Sequence, residues 1–235
     1  MTQMRSSAIS LKTTWRYILQ DLARYRITEQ RSYPAIFVMC PGAIAGIYYR
    51  LGSWIWNFTG PLAPLVFFLR PVYIIGKRFV EIYSGISISA QARIGPGLYI
   101  NHFGSIFIGA VDIGENCNLS HEVTIGVAGR GDRRGSPTIG DRVHISPGAK
   151  LIGKIVIGDD VAIGANAVVT KSVEDCAVVG GIPAQVISYK GSFDFVLYRS
   201  MERDVARRHN LERRPDHNSA QDTAENMIVK EKVTV

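Results

Sequence analysis

Cysteine is scarce in this chain: Cys40, Cys117 and Cys176 are the only three in 235 residues, and they stand in no paired spacing. That leaves out a disulfide framework and a Cys-x-x-Cys metal or redox site, and it fits a reducing, cytosolic compartment. Histidine is nearly as sparse, with five, and no His-x-x-x-x-His pair occurs. A zinc site would need a third histidine and such a close pair, so no metal is expected. Long unbroken hydrophobic runs are missing too. Residues 32–49 and 51–69 are uncharged and long enough for a bilayer, but Pro41-Gly42 interrupts the first, and Asn57, Gly60, Pro61 and Pro64 interrupt the second. Residues 1–14 are polar and show no cleavable signal pattern.

Acid is what the N-terminal third lacks. Residues 1–85 hold ten Lys/Arg against three Asp/Glu, whereas residues 86–235 hold seventeen of each, so the whole net charge of +7 sits on the first segment. Within it, residues 15–26 read as a short amphipathic helix ending in a basic cluster. Three readings of this segment follow. Short helices can pack on the end of the next domain or on a sister subunit, which is the reading adopted. The apolar stretches can span a membrane. Or the segment can lie on anionic lipid, with Trp54, Trp56, Phe67 and Phe68 in the interface. Nothing in the chain calls for a nucleic-acid partner.

From Ile88 onward an aliphatic residue recurs every six positions: Ile88, Ile94, Ile100, Ile106, then Ile113, Leu119, Ile125 after one inserted residue near Asp112, then Ile139, Ile145, Leu151, Ile157, Ile163, Val169. Small or apolar residues stand two positions earlier, as at Ala92, Cys117, Val143 and Ala167. No helical or simple strand period gives this beat; a six-residue repeat is a parallel β-helix in which three repeats make one triangular coil. Thirteen repeats give a little over four coils, whose open ends need covering by the N-terminal helices and by residues 169–188. Three parts follow: a helical segment over 1–85, a β-helix over 86–190, and a C-terminal part over 191–235. In the last, residues 193–209 are predicted as one amphipathic helix and the remainder as a disordered tail.

Two histidines stand out. His102 lies two residues after Ile100 and His121 two after Leu119, one coil apart, so their rings are expected to stack on an outer face. The glycine- and arginine-rich loop 127–137 (VAGRGDRRGSP) is expected beside them, offering Arg133 and Arg134 to an anionic group. An imidazole titrating near ~6.5 suits proton removal from a hydroxyl. His209 and His217 read as solvent-exposed groups of the tail, and His144, just before a corner residue, reads equally well as an ordinary surface group or as something more.

The strings ARIGPGLYINHFGSIFIG, IGENCNLSHEVTIG, SPTIGDRVHISPGAKLIGKIVIGDDVAIGANAVV and VVGGIPAQVI together resemble the hexapeptide-repeat acyltransferases, in particular the serine acetyltransferase branch. The resemblance implies a left-handed β-helix, a homotrimer with sites between subunits, and acetyl-CoA as donor. It places His102 on the family's catalytic base; His121 joins it by its spacing one coil on. The aspartate that holds this base is replaced by Ser87, the aspartate before it by Asn101, and an Arg-His pair that binds the amino acid by Gly135 and Ser136. The implied acceptor groups are Asn101, Glu122, Arg133, Arg134 and Ser136, and the implied CoA groups are Gly126, Pro147, Gly148, Ala165 and Lys171.

The string from His121 to Gly126 and the short N-terminal region look more like relatives of the colanic-acid type that O-acetylate sugars for exopolysaccharide. The expectation is therefore a cytoplasmic O-acetyltransferase acting on a sugar or other hydroxyl-bearing molecule, lipid-linked sugars included, and working at the inner face of the membrane. The alternatives are serine O-acetylation and a non-catalytic scaffold for a membrane assembly.

Overall fold

The computed structural model describes residues 10–212. Five helices come first: α1 (Leu11–Glu29), α2 (Tyr33–Met39), α3 (Pro41–Asn57), α4 (Ala63–Phe67) and α5 (Leu69–Ser84). Helix α1 is longer than the amphipathic pattern over 15–26 indicated, because the Ser10 side chain accepts from Thr13 N and caps it four residues earlier. Proline at the start of α3 breaks α2 from α3, which meet at a bend of 94°. No single helix among the described residues is long and apolar enough to cross a membrane. Instead α3 packs on the first coil through Ala45 and Tyr49, as the adopted reading requires. Gly42 allows this approach: a Cβ there would sit 2.8 Å from the Ile100 carbonyl oxygen.

The β-helix winds through a first coil of β1 (Ile86–Ile88), β2 (Arg93–Ile94) and β3 (Tyr99–Ile100), and a second of β4 (Ile106–Ile108), β5 (Asp112–Ile113) and β6 (Asn118–Leu119). The third holds β7 (Thr124–Gly126), β8 (Thr138–Ile139) and β9 (His144–Ile145), and the fourth β10 (Lys150–Ile152), β11 (Val156–Ile157) and β12 (Ala162–Ile163). β13 (Val168–Val169) and β14 (Val178–Gly180) belong to a fifth, and β15 (Gln185–Ser188) turns back antiparallel to β14 and covers that end. The solenoid is thus nearly five coils rather than just over four. Its strands form three parallel faces: β1-β4-β7-β10-β13, β2-β5-β8-β11, and β3-β6-β9-β12-β14. The inward column is buried along its length, including Cys117, whose thiol burial pushes up to about 12.

The register differs from the expected one in a telling way. Ile88 pairs with Ile108, and Ile108 with Ile125, so Ile108 rather than Ile106 continues the column. The net surplus of one residue is resolved as two extra residues between Ile100 and Ile108 and one fewer between Ile108 and Ile113. The sequence ILE-PHE-ILE at 106–108 hid this, since both isoleucines are buried.

The first coil has no coil beneath it, and side chains of the helices complete its backbone hydrogen bonds. Asp21 Oδ1 accepts from Gly97 N and Leu98 N at 2.8 Å. Arg50 pairs with Asp21 and donates to the carbonyls of Ile94 and Gly95. Tyr25 Oη accepts from Ile100 N at 3.1 Å and donates to Ile100 O, and Tyr49 Oη does the same between Ile94 N and Ala92 O. Burial pushes the Asp21 carboxyl up, against the pull of Arg50 and the two amides.

The C-terminal part is not the single helix expected over 193–209. Only α6 (Val205–Glu212) is α-helical, after a 3-10 turn over Met201–Arg203. Tertiary contacts override the amphipathic pattern: Ser192 N donates to Asp160 O, Arg207 donates to the carbonyls of Val196 and Phe193, and the Phe195 ring stacks on His144 at 4.7 Å. His144 is therefore partly covered rather than a plain surface group, and burial lowers its pKa to about 4. The expected disordered tail and His217 lie outside the described residues.

Two outcomes follow. Asp21→Ala leaves Arg50 as an unpaired buried charge above two amides without acceptors, and should cost about 3–5 kcal/mol in urea unfolding; a loss under about 1 kcal/mol would contradict the capping role. His144 is harder to protonate folded than unfolded, so its contribution is present above about pH 6.5 and is lost as the pH falls toward about 4. Urea midpoints of His144→Gln should fall less steeply with acid across that window than those of the parent; parallel curves would refute the assignment.

Candidate active site

The corner between the β3 face and the β1 face carries the two histidines. In each of the first four coils this corner contains a residue in the left-handed region: Ser105 (φ 55°), Glu122 (60°), Gly148 (75°) and Asn166 (56°). The first coil adds two more with positive φ, His102 itself (63°) and Gly104 (101°). Backbone bonds align Asn101 with Ser120 and Ser105 with Glu122, so His102, Phe103 and Gly104 occupy the space of His121 alone. The two extra residues of the register thus form a bulge at His102. A left-handed non-glycine residue costs about 1 kcal/mol, and such strain gathers at functional sites.

The bulge swings the His102 ring out into solvent and still brings it against His121, with ring centroids 5.7 Å apart and planes crossing at 73°. The expected stack is there as an edge-to-face pair. His121 Nδ1 is buried and has no hydrogen-bond partner among the described residues.

The other predicted residues divide between two corners. Glu122 follows His121, its side chain exposed, while its carbonyl accepts from Lys150 Nζ. Pro147 and Ala165 continue the histidine corner upward and reach the surface. Gly148 does not: it is buried in a left-handed turn, where a Cβ would strike Asn166 Oδ1 at 2.0 Å, so it shapes the corner rather than touching a ligand. Asn101 turns toward the outer surface of β3, accepting from Tyr99 Oη at 3.4 Å, away from an acceptor role.

The arginine-rich loop is not beside the histidines in one protomer. It leaves from the far end of β7, so Thr124–Gly126 separates it from His121. It forms a small hairpin, Ala128 and Gly135 exchanging backbone bonds at 3.1 Å around a 3-10 turn at Gly131–Arg133. Arg134 is exposed and Ser136 half-buried. Between the loop and the coils above runs a groove of about 440 Å³, lined by Ala128, Asp132, Gly153, Lys154 and Thr170, just before exposed Lys171. Gly126, with open space where a Cβ would stand, is at this same corner.

Ser87 takes no part in holding His102 by a carboxylate of its own; its hydroxyl donates to Glu81 Oε1 of α5 at 2.6 Å. Burial would raise the Glu81 carboxyl, but Ser87, Lys77 and Arg78 together hold it below its ordinary value. Lys150, Phe103 and Phe107 escaped the sequence reading. Phe107 and Lys150 are the outward members of strands whose neighbours point inward, a period-of-two signal that the six-residue beat obscured.

This surface can be compared with known proteins. Residues 136–171 match the family model for the bacterial transferase hexapeptide (six repeats). The serine acetyltransferase of Mycobacterium tuberculosis is 37% identical over 163 residues, 67% of each chain. That of Helicobacter pylori is 33% identical over 157 residues, spanning 65% of this chain and 85% of the relative. Among solved structures, the soybean serine acetyltransferase apoenzyme aligns with a TM-score of 0.65 at 28% identity, over 75% of this chain and 69% of its own. The Neisseria gonorrhoeae serine acetyltransferase in complex with serine aligns with a TM-score of 0.63 at 26% identity, over 77% and 72%. These relatives correct the finer resemblance to exopolysaccharide enzymes, which rested on one short string and the short N-terminal region. The chain belongs to the serine acetyltransferase family of hexapeptide-repeat transferases and is an acetyl-CoA-dependent O-acetyltransferase.

Proposed function

We propose that this protein acetylates the hydroxyl of L-serine, with His102 as general base. The observation that carries the reading is the bulged corner, which holds the exposed His102 imidazole edge-to-face against the half-buried His121 ring. His102 takes the proton from the acceptor hydroxyl, and His121 orients that hydroxyl or shares the proton. Lys150, through its bond to the Glu122 carbonyl, is the ammonium nearest this corner and suits the carboxylate of an amino acid, while the Glu122 side chain suits its ammonium.

The residues flanking the β1 face fit an elongated donor: Gly126, Pro147 and Ala165 let a chain lie close to the backbone, and Lys171 with the loop arginines suits phosphates. Acetyl-CoA supplies the activated thioester there. Because the histidine corner is open and the loop lies across a face from it, the site takes its second wall from a neighbouring copy in a trimer.

One observation favours a second acceptor class, a sugar hydroxyl. Ser87, Asn101 and Ser136 lack the charges that a zwitterion would meet, and Phe103 and Phe107 offer exposed aromatic faces. CoA release measured with L-serine and with a panel of sugars separates the two. L-serine is expected to be the better substrate; turnover only with sugars would overturn the serine reading. His102→Ala should slow transfer by roughly two to four orders of magnitude with the fold intact, and activity within about threefold of the parent would remove His102 as base. Light scattering should give three times 25.9 kDa, and a fully active monomer would exclude the shared wall.

A further inference from the structure

Arg24 is a buried cation without a counter-ion. It is 2% exposed, forms no ion pair among the described residues, and its Nε has no hydrogen-bond partner there. Its guanidinium bonds reach only neutral oxygens: the Gly97 carbonyl at 2.9 Å, Asn116 Oδ1 at 3.4 Å, and Asn118 Oδ1. The ring of Tyr198 lies 6.0 Å away. Burial lowers its pKa to about 10, outweighing the attraction of more distant groups such as Asp21, Tyr99 and Tyr198. Of the other buried arginines, Arg50 has Asp21 and Arg142 has Asp160, while Arg207 donates to the carbonyls of Val196 and Phe193.

Arg24 lines a groove of about 430 Å³ between α1, the corner of the first two coils, and the returning C-terminal segment. Arg16, Gln20 and Arg24 come at four-residue spacing on α1 and form one wall, with Leu19, Ala23 and Ile27 as a parallel apolar ridge. Arg199 closes the groove from the C-terminal side. Glu115 is the one carboxylate in the lining, against three arginines; burial and Asp141 raise its pKa. The size suits a small molecule.

We propose that this groove is a binding site for a small oxyanion, a phosphate or carboxylate carried on a partly apolar body, with Arg16, Arg24 and Arg199 as its cationic contacts. Guanidinium groups pair with such anions in bidentate fashion. The site lies on a different face from the histidine corner, yet it is coupled to it: Tyr25, the next residue on α1, holds Ile100, two residues before His102. An anion that fixes α1 therefore acts on the backbone leading to the base, which makes the groove a regulatory site. It does not depend on which acceptor is acetylated.

The test is thermal unfolding of the full chain with saturating CoA, which occupies any phosphate-binding groups of the donor site. Inorganic phosphate and succinate, each at about 20 mM, are compared with chloride at matched ionic strength. A saturable rise in Tm of about 3 °C with one of the two is expected, the responding arm telling phosphate from carboxylate. The exposed pair Arg16→Gln/Arg199→Gln should abolish the rise without lowering the chloride-only Tm. No rise with either anion, or an undiminished rise in the double variant, would overturn the proposal.

Discussion

A parallel solenoid must do something with the backbone of its first coil, and here the buried Asp21–Arg50 pair does it. Each strand needs a neighbour about 4.8 Å away, and the first has none below. Burying two charges costs several kcal/mol per ion unless both are fully hydrogen-bonded. In this case the partners are supplied by the coil: two amides to the carboxylate and two carbonyls to the guanidinium. The pair and the edge thus satisfy each other, and neither could be buried alone. Tyr25 and Tyr49 extend the arrangement to Ile100 and Ile94 with hydroxyls that donate and accept at once.

The site depends on this cap. The chain runs from the Gly97 and Leu98 amides held by Asp21 into β3, through the Ile100 amide and carbonyl held by Tyr25, and straight into Asn101 and the bulge. A residue in the left-handed region persists only where its surroundings determine it. Beneath the bulge the junction of α5 and β1 packs so closely that a Cβ on Gly85, itself at φ 65°, would lie 2.8 Å from the Gly104 Cα. The helices therefore do more than cover an end: they fix the corner of the solenoid where the bulge breaks its repeat.

Much of this was legible in the chain. The inward column from Ile88 to Val169 specified the coils, and the equal spacing of His102 and His121 from that column located the corner. The bulge was not legible, because Ile106 and Ile108 are both aliphatic and either could continue the beat; only hydrogen-bonded register separates them. The loop was misplaced for a related reason: a repeat count gives the coil of an insertion but not its distance from a corner one face away. The C-terminal helix failed because Ser192 and Phe195 have partners on the solenoid beside β9 and β12, and Arg207 binds the carbonyls of Phe193 and Val196, contacts that outweigh local propensity. The unpaired state of Arg24 could not be read at all, since it is defined by who is missing around it in three dimensions.

The central claim is that the two-residue bulge, and not merely the presence of a histidine, makes this corner reactive. Deleting Phe103 and Gly104 restores the six-residue register and leaves His102 in the place that His121 holds one coil above. The account predicts an intact solenoid, with Tm within about 3 °C of the parent, and transfer reduced at least about a hundredfold. A deletion variant that folds and keeps transfer within about threefold of the parent would contradict it.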